Sequence, residues 1–162
     1  EPREVQVAER GEFTRKFDRE ILQDSTAEAE EREVQRRRLV AEDAALEAEF
    51  LKVMNVLEHR GSWLRERFPK MREPGSVEGR GRRFEFLDAS GTVVGSIEFR
   101  TRLSDSQQAI VIESFMQLEG VFARRYDYVS FPKEGVNLDR TRRFVEAKLV
   151  EFAGPYQDRY GK

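Results

Sequence analysis

Apolar and polar residues alternate one for one along Val93–Leu103. Val93, Gly95, Ile97, Phe99, Thr101 and Leu103 fall on one side, and Val94, Ser96, Glu98, Arg100 and Arg102 on the other. A period of two marks a strand with one buried and one wet face, and such strands belong chiefly to antiparallel sheets. Before it, Phe84–Leu87 predicts a first strand. The two are joined by Asp88-Ala89-Ser90-Gly91, where Asp can bond the turn backbone and Gly can take positive φ. Residues 105–119 admit two readings: a helix capped near Ser104 and stopped by Gly120, or a strand. As a strand, a hairpin folding between Ser106 and Gln107 sets Ile97 against Met116, Thr101 against Ile112, Leu103 against Ile110 and Arg100 against Glu113. Apolar then meets apolar and opposite charges meet, and Ile-Val-Ile favours the extended form, so the strand is expected. A further strand is predicted over Arg125–Phe131, ended by Pro132, which has no N–H to donate. Asn137 is the expected cap of a final helix from Leu138 to Ala153. Its stripe is Leu138, Thr141, Val145, Leu149 and Phe152, and Gly154-Pro155 is the expected stop.

Upstream the period changes to that of a helix. Ser25 followed by Glu28 fits a capping box, and no Pro or Gly occurs from there until Gly61. A helix of about 35 residues would be about 50 Å long, more than a small domain can cover. Its first half is nearly all charge, with Glu28, Glu30, Glu31 and Glu33 leading Arg36, Arg37 and Arg38, an order that suits the helix dipole. Its second half carries the stripe Leu46, Phe50, Val53, Leu57 and Leu64 at steps of four and three, with Arg60 in one slot. Two readings stand for these five residues: packing on their own domain, or an interaction surface for another protein or a second copy of the chain. Asp43 and Arg36 break the seam upstream, so a long coiled coil is not predicted. Gly61 is expected to end this helix, with a short continuation to Pro69 whose Trp63 and Phe68 pin the core; His59 reads as a partly exposed junction residue.

The resulting organisation has four parts. Residues 1–24 form a poorly ordered or short-helical segment, with Phe13, Phe17 and Ile21 four apart. Residues 25–68 form the long charged, then amphipathic, helix. Residues 69–83 are a Pro/Gly/Arg linker and residues 84–162 a small α+β domain. The expected fold class is α+β: a long N-terminal helix, an antiparallel meander of about four strands, and a C-terminal helix packed on the sheet.

Composition narrows the chemistry. Of 162 residues 37% are charged, against roughly 25% in ordinary soluble chains, and 38% are hydrophobic, enough for one modest core. The net charge is −2, which argues against a wholly basic nucleic-acid binder while leaving local basic patches open. The absence of cysteine excludes disulfides and thiolate chemistry, and a single histidine disfavours histidine-based metal or triad sites. No phosphate-binding or dinucleotide glycine motif occurs, and no cofactor or metal is expected. Asp88, Glu98, Glu113 and Asp127 could converge as an acid–base pair, but a charged cross-strand ladder accounts for Glu98 and Glu113 without catalysis. No apolar run reaches the ~18 residues that span a bilayer, so no membrane partner is expected. A start at Glu1 rather than Met is compatible with a removed targeting segment, and the default expectation is cytoplasmic.

These observations favour a non-catalytic interaction or assembly subunit, a small protein-binding module with a projecting helical arm. A first alternative is a nucleic-acid-associated protein. It would use Arg80, Arg82 and Arg83, next to Gly79 and Gly81, together with Arg100 and Arg102 on a sheet face shared with Phe115, Tyr126 and Tyr128. A second is a small enzyme or ligand-binding protein with a pocket between sheet and helix.

Overall fold

A computed structural model describes the backbone of residues 2–74 and 80–161, and the side chains from Arg15 onward except Phe17. The fold is α+β. A helix α1 (Pro2–Arg67) precedes strands β1 (Met71–Arg72), β2 (Arg80–Leu87), β3 (Val93–Leu103), β4 (Ala109–Leu118) and β5 (Phe122–Pro132), and helix α2 (Leu138–Tyr160) follows. The five strands form one antiparallel sheet in the order of the chain. The fifth strand, beyond the four expected, is the two-residue β1, paired through Met71 with Phe86 and Arg72 with Glu85.

The chain divides into two compact units, Glu1–Ala44 and Ala45–Lys162. In the first, α1 does not begin at Ser25: it is already helical at Pro2, and the Thr26 hydroxyl donates to the Leu22 carbonyl one turn back, inside the helix. The Glu–Arg order read from the sequence becomes a ladder of pairs, Glu28 with Arg32, Glu33 with Arg36 and Arg37, and Glu42 with Arg38. The bonds from Arg36 and then Arg37 hold the Glu33 carboxyl below its ordinary value. The side chains of Phe13 and Phe17 lie outside the described residues.

The second unit carries the core. Within residues 105–119 the strand reading holds, over Ala109–Leu118, and β3 and β4 pair in the predicted register, Ile97 with Met116, Arg100 with Glu113, Thr101 with Ile112 and Leu103 with Ile110. Gln107 takes φ +60 in the tight turn between them. Phe84, Phe86, Ile97, Phe99, Ile110, Ile112, Met116 and Leu118 are buried on one sheet face, against Phe50, Val53, Leu57 and Leu64 of α1 and Val145, Leu149, Phe152 and Tyr156 of α2. Leu46 packs on the rim of this cluster. The stripe Leu46, Phe50, Val53, Leu57 and Leu64 is therefore spent on the chain's own core, which corrects its reading as a surface for a partner. The same residues fill the space between helices and sheet where a ligand pocket was the second alternative.

Three breakers do not break. Gly61 lies inside α1, and a Cβ there would meet the Phe84 ring at 3.1 Å; close packing over that ring, not chain termination, explains it. Gly81 lies inside β2, where a Cβ would meet the Phe99 carbonyl oxygen at 2.2 Å, so residues 80–83 are strand rather than linker. Gly75 and Gly79 lie outside the described residues. Helix α2 runs through Gly154-Pro155 to Tyr160. Its last turns are fixed by Tyr156, buried against Phe86 with its hydroxyl on the Leu87 carbonyl, and by Tyr160, which donates to the Glu119 carbonyl at 2.9 Å. Asn137 caps α2 as expected, accepting from the Arg140 N–H at 3.0 Å. Phe68 is buried, but Trp63 is exposed with the Arg67 guanidinium over its ring, so Trp63 is no core pin.

Two consequences are measurable. Gly95 on β3 leaves the room in which the Phe152 ring reaches Phe86, 4.5 Å between centroids; a Cβ there would lie 2.8 Å from the Gln117 oxygen and 3.0 Å from Phe152. Gly95→Ala should cost about 1–3 kcal/mol in urea unfolding, and an unchanged midpoint would contradict this packing. Lys148 of α2 binds Asp127 of β5 and Glu151 of its own helix. Burial works to lower the Lys148 ammonium, but the two carboxylates outweigh it and hold it above 10.5. In turn the bond from Lys148 lowers Asp127 from 3.8 and Glu151 from 4.5. The carboxylates' contribution is present above their unfolded values and lost as pH falls through the folded ones; that of Lys148 is present below 10.5 and lost as pH rises past it. Lys148→Met should therefore cost about 1 kcal/mol between about pH 5 and pH 10, and the gap to the unaltered chain should close in acid. A gap independent of pH would show that the lysine acts by packing alone.

Candidate binding face

Strand alternation that buries Phe84, Phe86, Ile97, Phe99, Ile110 and Ile112 turns the intervening residues to the opposite side of the sheet. Among the described residues of the second unit, the side-chain contacts on that side run within the sheet and its turns, while α2 and the later turns of α1 pack on the other. Its centre is Phe115 of β4, paired with Glu98 on one flank and Tyr126 on the other. The Phe115 and Tyr126 rings stand 5.1 Å apart and Tyr126 and Tyr128 6.2 Å apart, a row of three aromatics running out to the sheet edge. The Arg100 guanidinium lies 5.1 Å from the Phe115 centroid and that of Arg124 5.9 Å, positions that favour cation–π attraction.

The expected wet face is not uniformly wet. Glu98 and Glu113 are buried, 8% exposed each, and each is paired with an arginine of β3, Glu98 with Arg100 of its own strand and Glu113 with Arg102 of the neighbouring one. Glu98 accepts from Arg100 at 3.1 Å. Glu113 accepts from Arg102 Nε at 2.5 Å and from the Tyr126 hydroxyl at 2.9 Å, and Glu85 accepts from Arg72 at 3.1 Å. The carboxylate side chains are 11–12% exposed, whereas those of Arg72, Arg100 and Arg102 are 58%, 54% and 47% exposed. A visiting molecule therefore meets guanidinium groups and tyrosine rings, with the negative charges recessed beneath them. The bond from Glu113 raises Arg102 further above its usual value. Partial desolvation, and then the bond to Glu113, raise the Tyr126 phenol above 10.0, so it stays neutral and a donor across the physiological range.

The five arginines singled out in the sequence do not form one patch. Arg83, Arg100 and Arg102 lie on the open face. Arg83 Nε makes no hydrogen bond, and its nearest carboxylate is Glu85 at 3.9 Å. Arg80 and Arg82 share the parity of Phe84 and point to the helix side. Arg80 pairs with Glu47 and lies 4.1 Å over the Phe50 ring, and Arg82 pairs with Glu73 at 2.9 Å and Glu58 at 3.3 Å. Arg124 was missed as a member of the face because it lies just outside the strand expected from Arg125. Its position is set by the register irregularity between Met116 and Leu118, which no local sequence signal announces.

Concavities are modest. A dip of about 210 Å³ opens on the face between Arg83, Ser96, Glu98, Arg100, Phe115 and Arg124. A cleft of about 430 Å³ between the two helices is lined by Lys52, His59, Arg60 and Arg142, and another of about 520 Å³ lies at the strand ends beside Gly95 and Gly120. In the helix cleft the cations are engaged, Lys52 by Glu49, Arg60 by Glu146 and Arg142 by Asp139. Asp88 works as a turn residue, accepting from Ser90 and Thr92, and the Ser90 hydroxyl foremost lowers its carboxyl below 3.8. Among the described residues no group of three or more His, Asp or Glu side chains is arranged to hold a metal ion, and no helix is long and apolar enough to cross a membrane.

Comparison with protein-family models, curated proteins and solved structures finds no match to this chain.

Proposed function

We propose that the protein is a non-catalytic assembly subunit, held to a partner protein through the helical residues 15–44. The observation that carries this reading is the exposure of large apolar side chains there: Ile21, Leu22, Val34, Leu39 and Val40 are each at least 45% exposed. Between and beside them the Glu–Arg ladder keeps the helix formed in water without any cover. Apolar groups on a helix that needs no packing to persist are surfaces whose burial is gained on association. The core stripe of Leu46 to Leu64 supports the same division: one part of α1 completes the domain, and the other is left for an external contact.

The test is site-specific photo-crosslinking of the full chain in its native cells, with the reactive residue at Leu22, at Leu39, or at the equally exposed Val150 of α2. A discrete partner protein should be captured from Leu22 and Leu39 and not from Val150. The Leu39 adduct should disappear in the Leu22→Glu variant if one partner spans both positions. No adduct, or the same adducts from all three positions, would remove the assembly role.

A further inference from the structure

We infer that the open sheet face is a binding platform for single-stranded nucleic acid. This goes beyond the helix-borne assembly role and does not depend on it, since the two use different residues. Three observations carry it. The chain as a whole is slightly acidic, net −2, yet this face presents Arg72, Arg83, Arg100, Arg102 and Arg124 over three recessed carboxylates. A partner selected by such a face is anionic. The arginines flank a row of contacting rings, Phe115, Tyr126 and Tyr128, of which the two tyrosines are about half exposed. Bases stack on aromatic side chains and on guanidinium planes whatever their identity, while phosphates take the remaining arginine donors. Finally, a shallow face over which no helix or loop projects among the described residues of the second unit suits unstacked bases. In a duplex the base faces are already occupied by one another and stay out of reach of the rings.

An acidic protein segment would satisfy the arginines but has no need of the aromatic row, so the rings separate the two classes. The measurement is fluorescence anisotropy of the full chain with labelled oligo-U RNA and oligo-dT DNA of about twelve nucleotides, within the ~4–16-nucleotide sites of single-strand-binding sheets. Binding should weaken between about 50 and about 200 mM salt, with a log–log slope of about −2 to −3, as expected for three or four phosphate contacts. The pair Tyr126→Ala/Tyr128→Ala should weaken it at least about tenfold. The pair Tyr126→Phe/Tyr128→Phe keeps the rings and should bind within about twofold of the unaltered chain, which guards against misreading a folding defect. Absence of binding at the lower salt would overturn the inference. So would binding indifferent to the alanine pair, or lost equally in the phenylalanine pair. A poly-glutamate peptide of the same length that binds while both oligonucleotides do not would assign the face to an acidic protein instead.

Discussion

The packing of Phe152 and Tyr156 onto Phe86, in the room that Gly95 leaves on the central strand, is the contact on which the rest of the domain depends. It fixes α2 to the sheet, and it carries that helix past a glycine and a proline that would otherwise end it. Phe68 joins the same cluster from the chain just beyond α1, 5.7 Å from Phe86 and 5.9 Å from Tyr156, so both helical segments meet on one group of rings. With the helices committed to one side, strand alternation leaves the other side to solvent. The open face is a direct consequence of how the core is closed.

Legibility in the sequence followed the range of the interactions. The β3–β4 pairing was readable because it is decided locally: β-branched runs, apolar residues opposite apolar ones and Arg100 opposite Glu113 select a single register. The bounds of β2 and α2 were not, because Gly81 and Gly154-Pro155 carry the local signals of a turn and are overruled by contacts distant in sequence. At Gly81 the overruling contact is the close approach of the Phe99 backbone; at Pro155 it is the anchoring of Tyr156. The candidate site shows the same limit. Membership of Arg100, Arg102, Tyr126 and Tyr128 in one face follows from parity, but the division of Arg83 from Arg80 and Arg82 required knowing that residues 80–83 are strand. The recess of Glu113 depends on which arginine stands on the neighbouring strand, and pairing order supplies that only once the sheet is known.

Charge is used differently in the two units. Along residues 28–42 opposite charges pair within the helix at spacings of three and four, where they hold an exposed helix together and are open to water on all sides. On the sheet the same residue types pair across strands, Arg72 with Glu85 and Arg102 with Glu113, and two apart along one strand, Arg100 with Glu98, and the carboxylates are withdrawn from water beneath the arginines. Withdrawal of a carboxylate is tolerated because each retains a charged hydrogen-bond partner, and removal of that partner leaves the negative group buried and unpaired. The outcome is a face whose accessible chemistry is cationic and aromatic although its sequence is balanced in sign.

This sheet has one closed and one open face, and hydroxyl-radical footprinting of the four tyrosines in the native chain tests that division most directly. Tyr126 and Tyr128 should be oxidised rapidly while Tyr156, 5% exposed on the inner side of α2, is protected until the chain unfolds. Protection of Tyr126 and Tyr128 in the isolated native chain, or oxidation of Tyr156 at a matching rate, would contradict it.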